Sequence, residues 1–303
     1  MIVGESEAIR QLRALIGTVA PTRLPVLIQG PTGSGKELVA AELHARSGRR
    51  GAFVPFNVCA ISDSMFEDAL FGHVRGAFTG AVNDSPGFLR EGDGGTVFLD
   101  EVSGLPVAMQ AKLLRAIETG VFRPVGARHD VQSDFRLVAA SNEHLGVLLD
   151  DGRFRADFAH RIGAVTVDVP ALADRMDDVP LLARHFLTRL GRQDAPLDGD
   201  VARALGEYHW PGNVRELRHV VECAAAFSEG RLSAHAIRSA IDGRRFAAAR
   251  PPRAGALGRQ VLCETLAQHE WNADQAAQTL GVHRATLYRR MKRLGIVPPR
   301  FVQ

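Results

Sequence analysis

The chain has 303 residues, of which 46% are hydrophobic and 23% charged, which is typical of a globular protein with about two domains. No apolar run approaches the roughly 18 residues of a membrane span. The N-terminus lacks the basic start and apolar block of a signal peptide, so we expect a cytoplasmic protein. Cys59, Cys223 and Cys263 have no partner at a metal-ligand or redox spacing and are expected to be reduced core thiols.

The net charge of +3 hides an asymmetry along the chain. Residues 244–303 contain 11 Lys or Arg and 3 Asp or Glu, whereas the rest of the chain contains 26 and 31. A basic tail on an acidic body is typical of a nucleic-acid-binding module attached to a domain with another activity. A solvated basic surface has the same composition, so charge alone does not decide between the two.

Strand and helix signals alternate in the first half of the chain. "LPVLIQGPTGSGKELVAAELHA" predicts a short strand at residues 25–28, a glycine loop and a helix. "GGTVFLDE" at residues 94–101 and "DFRLVAASN" at residues 134–142 predict two more strands. Between them, "VAMQAKLLRAIETG" predicts a helix that stops at Gly120. Alternating strands and helices indicate an α/β fold, a mostly parallel sheet covered on both faces.

The expected domain boundaries follow from where these signals change. We expect an α/β subdomain over residues 1–170 and a helical subdomain over residues 171–242, where strand signals stop and amphipathic helices take over. Residues 243–256 are rich in Pro, Gly, Ala and Arg and are expected to form a linker. Residues 257–303 are expected to form a small all-α domain.

The loop after the first strand fits a phosphate-binding pattern. Gly30, Gly35 and Lys36 match G-x-x-x-x-G-K between a strand and a helix, where backbone N–H groups can face phosphates. Since the chain has 3 lysines and 34 arginines, a lysine here indicates a need for a compact, rotatable ammonium. Glu37 departs from the pattern, which has Ser or Thr as a magnesium ligand. The predicted nucleotide-binding residues are Gly30, Pro31, Thr32, Gly33, Ser34, Gly35, Lys36 and Glu37.

Two adjacent carboxylates end the second predicted strand. Asp100 is a candidate ligand of Mg²⁺, and Glu101 is a candidate both for the metal and for the water that attacks ATP. Asn142, at the end of the third strand, is a candidate contact to the γ-phosphate. An acidic exit from a strand is common by itself. Together with the phosphate loop, however, the pair predicts an ATPase that uses ATP and Mg²⁺.

The assembled motifs resemble those of the bacterial enhancer-binding activators of sigma-54 RNA polymerase, a branch of the AAA+ ATPases. "GPTGSGKE" resembles the family's phosphate loop, which itself has glutamate where Glu37 stands, and "LFGHVRGAFTGA" at residues 70–81 resembles its most specific signature. "WPGNVREL" at residues 210–217 resembles its second sensor, which implies that Arg215 senses the nucleotide. Asn57 stands where the family has an asparagine that restrains the catalytic glutamate, here Glu101.

The resemblance also implies contacts to other chains. In the family, arginines at the positions of Arg155 and Arg161 reach the ATP of the neighbouring subunit in a hexameric ring, although Ala156 replaces the usual acidic residue here. The family's GAFTGA loop contacts sigma-54. The residues implied for this contact are Gly76, Ala77, Phe78, Thr79, Gly80 and Ala81.

The C-terminal residues predict a helix-turn-helix by themselves. "WNADQAAQTLGVHRATLYRRMKRLGI" has Asn272 as an N-cap, a helix from Ala273, a turn at Gly281 and a second, basic helix from about Arg284. The domain is similar to the Fis-type domain of the family. The apolar positions expected to form its core are Ala276, Ala277, Leu280, Leu287, Met291 and Leu294. The predicted DNA contacts are Asn272, His283, Arg284, Thr286, Arg289 and Arg290.

These features predict a DNA-binding activator that hydrolyses ATP to convert closed complexes of sigma-54 RNA polymerase into open ones through the GAFTGA loop. We expect a homo-oligomer, a hexamer when active and a dimer on enhancer DNA. Two other functions fit part of the pattern: a DNA-binding repressor that only senses ATP, and an AAA+ replication initiator or helicase loader, which would not need the loop. No receiver or ligand-sensing domain precedes Ile2, so we expect control by a separate protein or a shortened chain.

Overall fold

The computed structural model describes residues 2–192, 197–228 and 232–248 and, further along the chain, residues 262, 265–267, 269, 271–279, 287, 291 and 296. The chain divides into two compact units, Met1–Ile237 and Arg238–Gln303. No helix within these described ranges is long and apolar enough to cross a membrane.

In the described part of the first unit, seven strands form a main sheet and a small hairpin. Their bounds are β1 Val26–Gln29, β2 Phe53–Asn57, β3 Thr96–Asp100, β4 Val121–Phe122, β5 Val131–Gln132, β6 Arg136–Ser141 and β7 Val165–Asp168. The main sheet is parallel and has the order β2-β3-β6-β1-β7. The carboxyl ends of its strands therefore meet at one edge, where open α/β sheets bind ligands. The predicted α/β fold class is confirmed.

Helices cover both faces of this sheet. They are α1 Glu7–Val19, α2 Lys36–Ala45, α3 Phe66–Phe71, α4 Phe88–Glu91, α5 Val107–Thr119, α6 Leu145–Asp150 and α7 Ala156–Ile162. Since successive strand residues point to opposite faces, Leu27 and Leu99 belong to one hydrophobic cluster, and Ile28 and Phe98 belong to another. Buried residues of α3, α5 and α7 complete the first cluster, and those of α1 and α2 complete the second.

The strongest local signals of the sequence are confirmed. β1, β3 and β6 coincide within two residues with the three predicted strands. α5 ends as predicted at Gly120, whose φ is 69° and whose N–H donates to the carbonyl of Ala116 at 2.9 Å. β2, β7 and the hairpin were not predicted. β2 and β7 are the edge strands, where burial is only partial, and β2 also contains Pro55.

A helical lid follows β7. It begins with the 3₁₀ segment Leu172–Asp178 and continues as α8 Val179–Arg189, α9 Gly199–Gly206, α10 Asn213–Ala226 and α11 Ala234–Ala248. Trp210 between α9 and α10 is fully buried, and its indole N–H donates to the carbonyl of Leu205 at 3.0 Å. The expected linker is wrong over residues 243–248, which complete α11. Ala and Arg favour helices, and a single Gly costs only about 1 kcal/mol, so this composition does not end a helix.

In the second unit, the described residues include the helix α12 Ala273–Thr279. Asn272 is its N-cap as predicted, because its side-chain oxygen accepts a hydrogen bond from the N–H of Gln275 at 3.3 Å. The buried cluster of this unit contains Leu262, Leu266, Ala276, Leu287, Met291 and Ile296. Ala276, Leu287 and Met291 are therefore confirmed as core positions. The side chain of Ala277 and the residues Leu280, Gly281 and Leu294 lie outside the described residues.

Candidate functional site

The phosphate loop, residues 30–37, connects β1 to α2 at the carboxyl edge of the sheet. Two of its glycines lie where no side chain fits. A Cβ on Gly30 would be 2.6 Å from the carbonyl oxygen of Val169, and a Cβ on Gly33 would be 2.4 Å from that of Gly212. The loop is therefore in backbone contact both with the segment after β7 and with the lid.

Backbone N–H groups of this loop are available for a ligand. Within the part of the chain that the structure describes, the N–H groups of Gly33, Gly35 and Lys36 donate to no protein acceptor. Gly35 is the N-cap of α2, and Lys36 is its first residue. Since unpaired N–H groups at a helix N-terminus attract anions, these three groups fit the oxygens of a phosphate chain.

The Lys36 side chain folds back onto the loop. The residue is 8% exposed, and its ammonium donates to the carbonyls of Gly30 at 2.8 Å and Pro31 at 3.3 Å. Burial lowers the pKa of Lys36, while the charges of Asp100 and Glu101 oppose this shift. The ammonium therefore lies within electrostatic reach of both predicted catalytic carboxylates.

Asp100 is the last residue of β3, and Glu101 follows it in a left-handed conformation with φ at 56°. Burial raises the pKa of Asp100, although the N–H of Glu101, 2.9 Å from its Oδ1, and the charge of Lys36 oppose the rise. A non-glycine residue with positive φ carries backbone strain of the kind that is frequent at functional sites. Since Mg²⁺ is usually held by one or two carboxylates together with phosphate oxygens, the two side chains fit that ion.

Asn57 and Cys59 lie beside these carboxylates. Asn57 is paired in the sheet with Asp100, and its side-chain oxygen accepts a hydrogen bond from the N–H of Cys59 at 2.8 Å. Partial burial raises the pKa of the Cys59 thiol, as do a hydrogen bond to the Glu101 carboxylate and its charge. Cys59 is an exposed residue, so its expected place in the core is wrong. Its contact with Glu101 had no sequence signal beyond its position two residues after Asn57.

A cavity of about 530 Å³ adjoins the phosphate loop, a volume typical of small-molecule sites. Residues 32–37, Asp100, Glu101 and Arg215 form part of its lining. The other lining residues were not predicted from the sequence, because the apolar ones follow the helical spacing of a packed core and the charged or polar ones belong to no recognised motif. These missed lining residues come from the N-terminal segment, α1, the 3₁₀ segment and α8 and include Ile2, Val3, Ile9, Leu12, Arg175, Leu182, His185, Phe186 and Arg189.

Arg215 is the predicted sensor residue of the lid, and it lies close to the phosphate loop. Its charge acts on both Lys36 and Asp100. Its backbone N–H donates to the carbonyl of Gly33 at 3.2 Å. The lid thus adds a cation to the same cavity.

The described lining of the cavity does not include Asn57 or three other predicted catalytic residues. Asn142 is exposed directly after β6. Arg155, the N-cap of α7, forms an ion pair with Asp157 at 2.7 Å. Arg161, in the last turn of α7, has its Nη2 3.5 Å from the carbonyl of Ile117. In a single subunit, the two arginines are therefore separate from the lining of the cavity.

The GAFTGA loop, residues 76–81, has a hydrogen-bonded base. The N–H of Gly76 donates to the carbonyl of Ala81 at 2.9 Å. Phe78 is 45% exposed, and its ring makes an edge contact with that of His73, with centroids 5.0 Å apart. Sequence reasoning missed this aromatic partner.

Of the predicted DNA contacts, Asn272 is described, and its side chain caps α12. The others lie outside the described residues: His283, Arg284, Thr286, Arg289 and Arg290.

Family comparison covers nearly the whole chain. The sigma-54 interaction domain model matches residues 2–168, the AAA+ ATPase lid domain model matches residues 173–252, and the model of bacterial regulatory proteins of the Fis family matches residues 257–294. The chain belongs to the sigma-54 enhancer-binding regulators. This result confirms the resemblance that the motifs indicated, including the AAA+ domain, its lid and the Fis-type helix-turn-helix.

Several curated regulators are similar to this family member over most of its length. The response regulator PilR of Pseudomonas aeruginosa is 39% identical over 97% of this chain and 70% of its own length. The C4-dicarboxylate transport regulator DctD of Rhizobium meliloti is 39% identical over 97% of this chain and 64% of its own. The nitric oxide reductase regulator NorR2 of Cupriavidus necator is 40% identical over 97% and 63%. The chain thus spans about two thirds of the length of these relatives.

Solved structures agree with the fold. The structure of NtrX from Brucella abortus in complex with ADP has a TM-score of 0.72 and 32% identity and covers 97% of this chain and 69% of NtrX. A point mutant of RuvB from Thermotoga maritima has a TM-score of 0.56 over 94% of this chain and 85% of RuvB. At 16% identity, this second likeness concerns the fold alone.

Proposed function

We propose that this sigma-54 regulator is a transcription activator that hydrolyses ATP and uses the GAFTGA loop to remodel sigma-54 RNA polymerase. One observation carries the ATPase part. A single cavity combines the unpaired N–H groups of the phosphate loop, the Lys36 ammonium and the carboxylates of Asp100 and Glu101. The NtrX structures, which include complexes with ADP and with ATP, support a nucleotide as the ligand.

The residues of the cavity divide the work of ATP hydrolysis. The loop N–H groups bind phosphate oxygens, and Lys36 and Arg215 neutralise their charge. Asp100 and Glu101 would hold Mg²⁺, which supplies further neutralisation of the phosphates when bound. Glu101 orients the attacking water and accepts its proton.

Two asparagines adjust this site in the proposed mechanism. Asn142 contacts the γ-phosphate after a shift of the loop that follows β6. Asn57 restrains Glu101 until the nucleotide is in place. The latter role is supported by the position of Asn57 beside Asp100 on the neighbouring strand. Cys59 also connects the two residues, since its N–H donates to the Asn57 side chain and its thiol is hydrogen-bonded to the Glu101 carboxylate.

Arg155 and Arg161 act on the ATP of a neighbouring subunit. Support comes from their place on α7, separate from the cavity lining of their own subunit among the described residues. An arginine supplied in trans is worth about 10³–10⁵ in rate for related phosphoryl-transfer enzymes. Catalysis would then depend on a closed ring, for which we propose a hexamer.

The GAFTGA loop makes the contact to sigma-54 in this proposal. Phe78 offers apolar surface and Thr79 a hydroxyl group, and both are accessible on one loop. Opening even five base-pair steps of a promoter costs about 7 kcal/mol at the mean stacking energy. A binding contact to the polymerase can supply this free energy only if it stabilises the open complex over the closed complex by the same amount. Coupling to ATP hydrolysis removes this restriction.

The C-terminal domain binds enhancer DNA in this proposal, through Asn272 and the basic residues after Gly281. Support comes from the match to the Fis family over residues 257–294 and from the basic composition of the tail. Phosphate contacts position such a module, and base contacts give it specificity.

The variant Thr79→Ala tests the proposal. It should leave ATPase activity, ring assembly and DNA binding close to those of the wild type, while open-complex formation at a sigma-54 promoter fails. All four properties are measured on one preparation. Thr18→Ala is the matched control, because Thr18 is an exposed threonine on α1.

Open-complex formation by Thr79→Ala at the wild-type rate would remove the loop from the mechanism. A wild-type protein that binds DNA and represses transcription, but does not activate it, would instead favour an ATP-sensing repressor. A replication initiator or helicase loader gains no support from the site, since the sigma-54 interaction domain accounts for residues 2–168.

A further inference from the structure

Three donors from the lid bind the carbonyl oxygens of three consecutive residues in the phosphate loop. We call these hydrogen bonds the lid clamp. The pairs are Asn213 Nδ2 with Thr32 O at 3.1 Å, Arg215 N with Gly33 O at 3.2 Å, and Arg175 Nη2 with Ser34 O at 3.0 Å. Because the two remaining carbonyls at the start of the loop bind the Lys36 ammonium, all five from Gly30 to Ser34 have a donor.

The clamp bears on phosphate binding because of peptide geometry. In a trans peptide, the carbonyl and the following N–H point in opposite directions. A carbonyl of Thr32 or Ser34 held by the lid therefore turns the N–H of Gly33 or Gly35 away from the lid donors. Both belong to the loop N–H groups that have no protein acceptor among the described residues. The lid thus fixes the orientation of the groups that would bind phosphate.

Asn213 is the centre of the clamp. It is 3% exposed and has a left-handed backbone with φ at 53°, a conformation that Asn tolerates better than most residues. Both ends of its side chain are used, since Oδ1 accepts from the N–H of Leu172 at 2.8 Å and Nδ2 donates to Thr32. One carboxamide therefore joins the start of the lid, the start of α10 and the phosphate loop.

Arg175, in the 3₁₀ segment of the lid, supplies the second side-chain donor of the clamp. Its side chain is 4% exposed, and its backbone departs from helical geometry with φ at −143°. Its Nη2 binds the carbonyl of Ser34, while its Nε has no partner among the described atoms. A nearly buried guanidinium that is held by a loop carbonyl stays sensitive to any movement of that loop.

We propose that Asn213 is a positioning residue for the nucleotide, which holds the phosphate loop in its binding conformation through the lid clamp and makes loop and lid move as one. This inference rests on the proposed function in that it takes the ligand to be a nucleotide. Coupling of this kind is reciprocal: if the lid position changes the affinity for phosphates, bound phosphates must change the stability of the lid contacts by the same factor.

Asn213→Asp removes the side-chain N–H₂ group, which donates to Thr32 and, at 3.4 Å, to the carbonyl of Pro211. The carboxylate keeps an acceptor for the Leu172 N–H and tolerates the left-handed backbone, but it places an oxygen where the donor to Thr32 stood. We expect the Kd of MgADP, measured by calorimetry on the full chain, to rise about tenfold or more. Asn83→Asp makes the same chemical change at an exposed position and should leave the Kd unchanged.

Hydrogen exchange distinguishes positioning from a merely structural role. In the wild type, saturating MgADP should slow amide exchange both in residues 30–37 and in the lid segments 170–176 and 211–217. In Asn213→Asp, protection should remain in the loop and be lost from the lid segments. A wild type in which ADP protects the loop without protecting the lid overturns the clamp, and this readout holds even if the variant does not fold.

Equal ADP affinity in a folded Asn213→Asp protein would also overturn the inference while leaving the proposed ATPase intact. Failure of the wild type to bind ADP at all would instead overturn the proposed function itself. The two failures are therefore told apart by the wild-type titration alone.

Discussion

Asp178 ties the lid to the N-terminal segment, and its replacement by Asn should destabilise the first unit. The residue is 1% exposed, and its carboxylate accepts from the N–H of Glu5 at 2.6 Å and from the N–H and hydroxyl of Ser6 at 2.9 and 2.6 Å. In Asp178→Asn, an amide N–H₂ faces at least one of these donors. Since a hydrogen bond to a charged group contributes about 1.5–3 kcal/mol, we expect the free energy of unfolding to fall by about 2–4 kcal/mol.

The effect of Asp178→Asn should depend on pH with a defined sign. Burial raises the pKa of Asp178, but the hydrogen bonds from Ser6 and Glu5 outweigh it, and the pKa lies below its ordinary value. A lowered carboxyl pKa stabilises the fold fully above the unfolded value of about 3.9, and this stability is lost as the pH falls through the lower folded value. The difference between wild type and variant should therefore be largest at neutral pH and shrink below about pH 4.

Urea denaturation followed by the fluorescence of buried Trp210 measures this difference at pH 7 and at pH 3. Asp177→Asn is the matched control, because the neighbouring carboxylate is exposed and should change stability by less than about 0.5 kcal/mol. A variant at Asp178 that is as stable as this control at pH 7, or a difference that does not shrink in acid, would refute the reasoning.

Three further predictions concern catalysis and DNA binding. Glu101→Gln should keep ATP binding and lose about 10²-fold or more in turnover, and near-normal ATPase activity would remove Glu101 from catalysis. Arg161→Ala and Lys36→Ala should each be inactive alone and should regain part of the ATPase activity when mixed. The Lys36→Ala subunit supplies Arg161, and the Arg161→Ala subunit supplies the intact nucleotide pocket. A monomer with concentration-independent activity would contradict this. Arg284→Ala and Arg289→Ala should each weaken specific DNA binding by about 1–3 kcal/mol in footprinting, with ATPase activity unchanged.

The phosphate loop and the carboxylates could be predicted because their signals are local. A buried strand, a glycine loop and a helix occur in uninterrupted succession around Lys36, and β3 delivers Asp100 at its end. The parallel order of the sheet then brings both to one edge whatever the intervening chain does. Helix ends with a chemical marker, such as Gly120 and Asn272, were predicted for the same reason.

The remaining parts of the site could not be predicted, because their residues resemble ordinary core or surface. Leu12 on α1 and Phe186 on α8 follow the apolar spacing of any packed helix, yet both line the cavity. Cys59 gains its place only through the pairing of β2 with β3. Asn213 could be recognised as part of a family motif, but its bond to Thr32 joins residues 181 positions apart in the chain.

The contacts of Phe78 limit how hydrolysis can be used. The segments that flank the GAFTGA loop are held in place. His73 and Ser85 form an antiparallel β-bridge, and the His73 ring is hydrogen-bonded to the Asp68 carboxylate. The edge contact between Phe78 and His73 contributes about 0.5–1.5 kcal/mol. It therefore shifts the equilibrium between the docked and the released Phe78 ring by about tenfold at most. That is far below the roughly 7 kcal/mol needed for five base-pair steps. Breaking this ring contact therefore accounts for only a small part of the free energy of the proposed cycle. In the proposed mechanism, the free energy of ATP hydrolysis is needed for the work that the loop does once sigma-54 is bound.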